Sequence, residues 1–522
     1  MLHWLLACDA EAPPNWSRPS DAPPVDTETT PTPADDTGAV TTLADTSTDT
    51  SDTGEPAEAF DVVVVGSGPA GMAAALTARE AGASVLVLER DDYPGLGLIL
   101  GGLAFATGSR WQAELGIVDT PEGAAAAWES ITGVSGDHPG VRAFLDESGP
   151  TLEWLADNYG LTVEQVGGEI DVGWIARLHT LNWGQVDEFH PLIVAFDGEL
   201  RTSVEVTEPW IEDGAIVGVR WVDLATGLEG RSRAGAVVIA TGGFLRDLDR
   251  ARAADPRLEG RDVVFENNPQ ANGGGLPFLA AVGAAMADED DFVAYVHSIP
   301  DPDSTEEGLL VVGFEDGLVV GEDGGRFVAD EVIESMDLFD ALPPGDVFVV
   351  LTEEQALALG FSRPGYRWAA PTAPESVDAA HVLSVSPDIW SAPSLADLAA
   401  ATGIDAEGLQ AEVDGYNAAI AAGSGDPWGR PVRGLAPFES DVWYAVRLVP
   451  GLGKNFGGVA TDTSGAVLDA DGLPIPGLFA AGEVAGMIVG GGGGEGFSGS
   501  VAACYQGGRA AGASAVAYAA VE

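Results

Sequence analysis

The stretch FDVVVVGSGPAGMAAALTAREAGASVLVLER, from Phe60 to Arg90, decides the fold. Its run of valines, within Asp61–Val65, is typical of a strand that is buried on both faces in a parallel sheet. The turn GSGPAG leads into a helix from Pro69 to Ala81, and Ser84–Leu88 forms a second strand. The order of strand, glycine-rich turn, helix and strand predicts a doubly wound α/β domain that binds a dinucleotide.

The glycines of this turn have separate tasks. Gly66 makes the turn, Gly68 lets the backbone approach a pyrophosphate, and Gly71 lets the helix pack close to the strand. The helix directs its free N–H groups and its positive end at the phosphates. Glu89 ends the second strand, 18 residues after Gly71, where a ribose hydroxyl pair would be bound. The residues predicted to contact the dinucleotide here are Gly66, Gly68, Pro69, Ala70, Gly71, Glu89 and Arg90.

Composition sets the limits of function. The chain has 522 residues, of which 46% are hydrophobic, so it can form a large core and two domains. Its formal net charge of −59 argues against nucleic acid and anionic membranes as binding surfaces. The only two cysteines, Cys8 and Cys504, exclude a disulfide framework, and the spacing of cysteines and histidines predicts no metal site.

The first residues predict a tether. Leu5 to Cys8, LLAC, resembles a bacterial lipoprotein cleavage box within a truncated signal segment, residues 1–8, in which Cys8 would carry the lipid. Residues 9–58 form an acidic Pro/Thr/Ser tract that is predicted to be a disordered linker. We expect a cell-envelope lipoprotein on the periplasmic or surface side; the alternative is an apolar N-terminus on a cytoplasmic protein.

The middle of the chain continues the α/β pattern. Tyr93–Gly108 is a glycine-rich apolar loop suited to lie against a flat ring; the alternative is a buried turn. Residues 121–160 are expected to be helical. Val204–Val222 shows strand alternation with a turn at Asp213 and Gly214. Ala236–Ala240 is a further buried strand, and Thr241-Gly242 after it predicts a second close approach of the backbone to the ligand.

Taken together, GSGPAG with Glu89 and VVIATGGF at residues 237–244 resemble the two-part signature of FAD enzymes of the fumarate reductase and 3-ketosteroid dehydrogenase family. Further similar segments are NGGGLPFLAAVGAAM at 272–286, GEDGGRFVADE at 321–331 and GGVATDTSGAVLDADGLPIPGLFAAGEVAG at 457–486. The resemblance implies noncovalently bound FAD. It adds to the predicted contact residues Gly97, Gly101, Gly102, Val206, Ala240, Thr241, Gly242 and Gly482.

The C-terminal segment predicts the flavin half of this site. Leu478–Ala481 is a strand, and Glu483 after it is placed to accept a hydrogen bond from a ribityl hydroxyl. Phe497–Arg509 is expected to be a helix whose first amides, with Ser498, Ser500 and Val501, face the flavin. The alternative for the two serines is a structural helix cap.

Catalytic candidates come from two segments. In DFVAYVHS, Tyr295 and His297 alternate on one strand face, and the resemblance places this segment near the substrate; the alternative is a core or surface role. Lys454, the single lysine, stands in GLGKNFGG, where fumarate reductases have a substrate-binding histidine. It can anchor a carboxylate or carbonyl or act as an acid if burial lowers its pKa; the alternative is a solvated loop lysine.

Two departures from the family bear on the substrate. Fumarate reductases carry a proton-donating arginine eight positions after the arginine of GGRF, where this chain has Glu334. Their second substrate arginine is replaced by the run Gly490–Gly494. Without both arginines a dicarboxylate such as fumarate is disfavoured.

We therefore expect an FAD-binding domain from residues 59–297 and 436–522 with an inserted α+β capping domain at 298–435. The predicted activity is hydride transfer to or from a C–C bond next to a carbonyl or carboxylate, in an enoate or enone reductase or a dehydrogenase. Electrons would come from or go to a quinone, a cytochrome or oxygen, because no second GxGxxG predicts NAD(P)H. The alternative is a lipid-tethered FAD protein that carries electrons without catalysis.

Overall fold

The computed structural model describes residues 58–95, 98, 103–167, 176–182, 190–304, 307–329, 337–363, 375–429, 436–486, 488–491 and 499–521. The strands are β1 (Glu58–Val65), β2 (Val85–Leu88), β3 (Leu103–Phe105), β4 (Thr162–Val166), β5 (Leu178–Asn182), β6 (Glu199–Arg201), β7 (Val204–Glu212), β8 (Ala215–Asp223), β9 (Glu229–Ile239), β10 (Val264–Phe265), β11 (Met286–Ala287), β12 (Phe292–Pro300), β13 (Gly308–Val312), β14 (Leu318–Gly321), β15 (Val347–Thr352), β16 (Gly360–Arg363), β17 (Glu375–Val377), β18 (Ile389–Ala392), β19 (Trp443–Asn455), β20 (Gly458–Val459), β21 (Ala466–Leu468) and β22 (Pro474–Ala480).

The helices are α1 (Pro69–Glu80), α2 (Arg110–Glu114), α3 (Pro121–Thr132), α4 (Pro139–Tyr159), α5 (Pro191–Ala195), α6 (Leu248–Ala254), α7 (Leu276–Ala281), α8 (Asp337–Asp340), α9 (Glu353–Ala358), α10 (Ala379–Val385), α11 (Leu395–Thr402), α12 (Ala406–Ala422) and α13 (Val501–Ala519). Two short 3₁₀ helices are Pro256–Leu258 and Phe314–Asp316. Within the described part of the chain, no helix is both long enough and apolar enough to cross a membrane.

One sheet is built around β1. Its strand order is β21-β22-β9-β1-β2-β6, and β1 pairs in parallel with both β2 and β9. The valines Val62, Val63 and Val64 are fully buried, as expected of a strand covered on both faces. Strand β22, from the far end of the sequence, pairs in parallel with β9. The predicted doubly wound α/β fold is confirmed.

A β-hairpin is attached to β9. Strands β7 and β8 pair antiparallel, and β8 continues onto β9. The residues between them, Asp213 and Gly214, have φ values of 49° and 81°. Two successive positive φ angles are typical of the tight turns whose twist suits a two-stranded hairpin. The strand pair predicted at Val204–Val222 is therefore present.

A second sheet is formed by strands from the middle and the C-terminal part of the chain. Its order is β14-β15-β19-β12-β13-β16-β17, with β10 and β18 also paired to β19. Strand β12 spans the boundary predicted at residues 297 and 298, and β19 lies after the boundary predicted at 435, so this sheet includes strands from both sides of the proposed cap. The domain limits stay a prediction.

Helix α13 packs closely on α1 through small residues. A Cβ on Gly508 would overlap the Ala70 carbonyl oxygen, and one on Gly512 would overlap that of Ala74. Only glycine permits the two helix backbones to approach this far. The contact holds the last helix of the chain against the first, next to the glycine-rich turn.

Local details differ from the sequence-based expectations. Glu58, assigned to the linker, begins β1, where its carboxylate binds Arg201. Tyr93–Gly108 is not only a loop, because Leu103–Phe105 pairs with β5. The helical stretch 121–160 is two helices, separated at Gly133, whose φ of 72° ends α3. Residues 1–8 and most of the predicted linker lie outside the described residues.

Candidate active site

The glycine-rich turn is shaped by contacts that forbid side chains. Gly66 has a φ of 101°, and a Cβ there would overlap the Ala240 carbonyl oxygen at the end of β9. A Cβ on Gly71 would overlap the Gly66 carbonyl oxygen, which explains why the helix can lie so near the strand. A Cβ on Gly68, by contrast, would meet no atom within 4 Å. The space in front of the α1 N-terminus is therefore open, as a bound pyrophosphate requires.

Glu89 lies beside this turn. Its Oε2 accepts hydrogen bonds from the Ser67 N–H, at 2.9 Å, and from the Ser67 hydroxyl, at 2.5 Å. Its Oε1 accepts from the Asp91 N–H at 3.0 Å. These bonds fix the carboxylate at the end of β2, where it keeps acceptor sites for a ribose. Ser67, a residue that the sequence analysis did not single out, thereby holds Glu89 to the turn.

Thr241 follows β9 and has a buried hydroxyl with no partner. Its Oγ1 makes no hydrogen bond among the described residues. Gly242 next to it has a φ of 78° and open space where a Cβ would stand. An unsatisfied buried hydroxyl beside an open backbone position fits a bound polar ligand, because the hydroxyl otherwise costs about 1–3 kcal/mol. Of the other predicted contact residues, Ala240 directly follows β9, and Val206 lies on β7.

The C-terminal strand end is brought to the first turn. Gly482 has a φ of 79°, and a Cβ on it would stand 2.8 Å from Ala70 Cβ. Residues about 400 positions apart in the sequence thus form one surface. The glycine-rich turn and the C-terminal segment, the two predicted parts of the FAD site, are therefore in contact.

Glu483 stands in a polar cluster beside that surface. Its Oε1 accepts from the Asn455 N–H at 3.1 Å, and Asn455 Nδ2 donates to the Glu483 carbonyl at 2.8 Å. Burial raises the pKa of Glu483 to about 7, against the opposing effects of the Asn455 N–H bond and the Lys454 charge. Asn455, which the sequence analysis missed, is fully buried and also accepts from the Phe244 N–H. Its only sequence signal is its place at the end of the strand, directly after Lys454.

Lys454 reaches the N-terminus of α13. Its Nζ donates to the Ser500 hydroxyl at 2.9 Å and lies 5.5 Å from the centre of the Phe456 ring. Burial lowers the pKa of Lys454 to about 8, and the nearby Glu483 carboxylate limits this fall. Lys454 is therefore a partly buried cation at neutral pH. Ser500 does not cap α13 with its side chain, and Val501 begins the helix.

Tyr295 and His297 do lie on one side of β12. Their rings are 6.0 Å apart and edge to face. Tyr295 packs against the core cluster that contains Phe456, and burial raises its pKa to about 12. His297 stacks on Phe314 at 4.9 Å, and burial lowers its pKa to about 4. His297 is therefore neutral at neutral pH, whereas the tyrosine keeps its proton.

One further titratable residue, missed by the sequence analysis, lies behind Tyr295. Glu266 is 1% exposed, and neither of its carboxylate oxygens has a hydrogen-bond partner among the described residues. Burial raises its pKa to about 8. In the sequence it is one acid in VVFENNP, a pattern without a special signal.

Several predicted positions lie outside the described residues: Gly97, Gly101, Gly102, Ser498, Glu334 and residues 492–494. Arg90 is described, and its guanidinium would be 3.6 Å from a Cβ on Gly274. Among the residues that the structure describes, no group of three or more His, Cys, Asp or Glu side chains could hold a metal ion.

The described surface fits an FAD molecule. It offers an open helix N-terminus at Gly68, the Glu89 carboxylate, the unpaired Thr241 hydroxyl and the Glu483 cluster, in one continuous region. The chemistry of these groups suits a pyrophosphate, a ribose and a polyol chain.

Comparison with known proteins supports this description. A family model described as FAD binding domain matches residues 61–498. Urocanate reductase of Eggerthella lenta is 30% identical over 450 residues, covering 82% of this chain and 70% of the relative. Fumarate reductase (cytochrome) of Shewanella frigidimarina is 28% identical over 451 residues, covering 83% and 73%.

A solved structure is also similar. The open conformation of a flavocytochrome c3 fumarate reductase has a TM-score of 0.65 and 26% identity to this chain. The match covers 89% of this chain and 79% of the other.

Proposed function

The chain belongs to the FAD binding domain family. On this basis we propose which residues bind FAD, bind the substrate and transfer the proton. It is an FAD-dependent oxidoreductase that acts on carbon–carbon bonds next to a carbonyl or carboxylate, and it exchanges electrons with an external carrier. When bound, FAD supplies the acceptor or donor of the hydride.

Two groups of residues hold FAD in this proposal. The adenosine and pyrophosphate half contacts the turn from Gly66 to Gly71, Glu89, Arg90 and Val206. The flavin half contacts Thr241, Glu483, Ser500 and Val501. The open space at Gly68 and the unpaired Thr241 hydroxyl support this assignment.

Lys454 is the observation that carries the substrate proposal. A single ammonium, partly buried and hydrogen-bonded to Ser500 beside Glu483, binds the carbonyl or carboxylate of the substrate. A positive charge there also stabilises the negative charge that develops on that oxygen when the neighbouring carbon is attacked. One cation suits a monocarboxylate or an enone better than a dicarboxylate.

Tyr295 supplies the proton of the reaction in the direction of reduction. Its hydroxyl keeps the proton at neutral pH, because burial raises its pKa to about 12. The neutral His297 beside it cannot act as a strong acid at neutral pH, so it orients the substrate or Tyr295 by hydrogen bonding.

The reaction is tested by reducing the holoenzyme anaerobically and adding acrylate, cinnamate, urocanate, 2-cyclohexenone or a 3-ketosteroid. Reoxidation by at least one acceptor, followed in the flavin absorbance, supports the proposal. Reoxidation by none contradicts it and favours a protein that only carries electrons.

The Lys454 role is tested with Lys454→Met and Lys454→Arg. The methionine variant should lose about 10- to 150-fold in kcat/KM, the value of a hydrogen bond to a charged group, about 1.5–3 kcal/mol. In the wild type kcat/KM should fall as pH rises through about 8, where the ammonium loses its proton. The arginine variant should lack this fall, because a guanidinium stays charged. Lys454→Met with kcat/KM unchanged would refute the role.

The electron partner and the location of the protein are proposed from the sequence. The electron carrier is a quinone, a cytochrome or oxygen. The LLAC segment and the Pro/Thr-rich tract favour a lipid on Cys8 and a place in the cell envelope. A lipid-modified Cys8 peptide in mass spectrometry of the membrane fraction would support this tether; an unmodified Cys8 would contradict it.

A further inference from the structure

Glu266 is a buried acid whose two carboxylate oxygens have no hydrogen-bond partner in the described part of the chain. It lies just after Phe265, whose strand β10 pairs with β19 at Gly451 and Leu452. Buried carboxyl groups are nearly always hydrogen-bonded or ion-paired, because an isolated charge is costly away from water. A site that keeps such a group therefore tends to use its proton rather than its charge.

Glu266 packs directly against the backbone of β19 at a glycine. A Cβ on Gly451 would overlap both the Glu266 side chain and the Ser298 hydroxyl. Two residues further along the same strand, a Cβ on Gly453 would stand 2.8 Å from a ring carbon of Tyr295. Alternate residues of a strand share a face and lie about 7 Å apart. Glu266 and Tyr295 thus occupy neighbouring spaces over one face of β19.

Burial first, and then the charges around it, raise the pKa of Glu266 and favour its protonated form. The anions that face it, Glu307 and Asp301, raise its pKa further, after burial. Both anions are paired, Glu307 with Arg246 and Asp301 with Arg363, so these arginines are engaged elsewhere. The Ser298 hydroxyl, which lies against the same position on Gly451, lowers the pKa of Glu266 and so opposes this effect. Burial raises the pKa of Tyr295, and Glu266 raises it further once it is a carboxylate.

We propose that Glu266 is a proton store that re-protonates Tyr295 during turnover. This rests on the proposed role of Tyr295 as the proton donor in C=C reduction. When the Tyr295 O–H bond breaks and a C–H bond forms on the substrate, the tyrosinate takes the proton of the Glu266 carboxyl. In this proposal the Ser298 hydroxyl, which lies against the same position on Gly451 as Glu266, passes the proton between the two side chains, and the resulting carboxylate is re-protonated from solvent before the next turnover.

The direction of transfer follows from acidity. A carboxyl that loses its proton near pH 8 gives it to a tyrosinate that holds one up to about pH 12. The negative charge then left on Glu266 faces Glu307 and Asp301, which favours its rapid re-protonation. Glu266 does not contact the substrate in this proposal; it acts only by returning a proton to Tyr295.

The first test needs no substrate. Infrared spectra of the holoenzyme in D₂O should contain the C=O stretching band of a buried protonated carboxylic acid at pH 6, and the band should be lost as pH rises through about 8. The wild-type minus Glu266→Gln difference spectrum should contain this band, separate from any band of the Glu483 carboxyl, whose pKa is about 7, and Glu266→Asp should keep a band of this kind. An unchanged spectrum in Glu266→Gln would overturn the proposal.

The second test separates a proton relay from a structural role. With the acceptor among acrylate, cinnamate, urocanate and 2-cyclohexenone that is reduced fastest, Glu266→Gln should lower kcat about 10- to 100-fold, less than the loss of a full general acid, and leave KM within about twofold. The solvent deuterium isotope effect should increase, and Glu266→Asp should restore part of kcat.

The decisive comparison uses Tyr295→Phe. In that background Glu266→Gln should have no further effect on kcat, because the store has no acceptor left to serve. Equal losses in both backgrounds, or a wild-type kcat in Glu266→Gln, would overturn the relay while the proposed function stands. Failure of the wild type to reduce every acceptor would instead refute the proposed function and the relay with it.

Discussion

The pH dependence of stability should reveal Glu266 directly. The perturbation is Glu266→Gln, which keeps the size of the side chain and removes its titration. In the folded protein the pKa of Glu266 is about 8, against an ordinary value of 4.5. Between these values the folded state holds a proton that the unfolded state has lost, so the stabilisation is fully present below pH 4.5 and is lost as pH rises towards 8.

The size of the effect follows from this difference. Each pKa unit corresponds to about 1.4 kcal/mol, so from pH 4.5 to pH 7 the wild type should lose about 3 kcal/mol through this group alone. The side chain is 1% exposed, so solvent screening does not reduce the effect much. Glu266→Gln should lack this loss.

The assay is urea unfolding of both holoproteins at pH 5, 6, 7 and 8. The stability of the wild type relative to Glu266→Gln should fall by roughly 1 kcal/mol per pH unit, while contributions from other groups cancel in the difference. Glu114→Gln, at an exposed glutamate at the end of α2, controls for the loss of one acidic side chain. Parallel curves for the wild type and Glu266→Gln would refute the assignment of a neutral buried acid.

Two further predictions concern the cofactor site. Gly71→Ala should lower the free energy of unfolding by about 1–3 kcal/mol or more and release FAD, because the new methyl group overlaps the Gly66 carbonyl oxygen. The control Gly415→Ala, at a helix position with open space, should be neutral or stabilising. Urea unfolding and flavin absorbance after gel filtration measure both effects, and bound FAD in Gly71→Ala would contradict the packing argument. Thr241→Val should weaken FAD binding about 5- to 10-fold without loss of folding stability, since its hydroxyl has no hydrogen-bond partner among the described residues, and Thr241→Ser should retain affinity. Equal FAD titrations for all three proteins would show that the hydroxyl does not bind the cofactor.

Much of the cofactor site could be predicted because its signals are local. The strand, the turn and the helix between Phe60 and Glu89 follow from β-branched residues and glycines that are neighbours in sequence. The need for glycine at Gly66 and Gly71 is also a backbone requirement, and the structure gives it a concrete cause in the overlap with Ala240 and Gly66. Lys454 could be selected because the chain has no other lysine and because it stands in GLGKNFGG, where the resembling family has a substrate-binding histidine.

The environments of the proposed catalytic residues could be predicted less well from the sequence. Alternation placed Tyr295 and His297 on one face, but it did not show that His297 would stack on Phe314 and lose its basicity by burial. Nor did it show that Asn455 would bind Glu483. These properties depend on which distant elements meet, and a one-dimensional pattern does not contain them.

The sequence by itself determined that this chain has a dinucleotide fold and an FAD signature, because those depend on residues close together in the chain. Tertiary structure alone placed Gly482 beside Ala70 and left Glu266 without a partner over Gly451. The physical reason is that a pKa and a hydrogen bond are set by the dielectric and the neighbours of a group, which the folding of β10, β12 and β19 into one sheet creates.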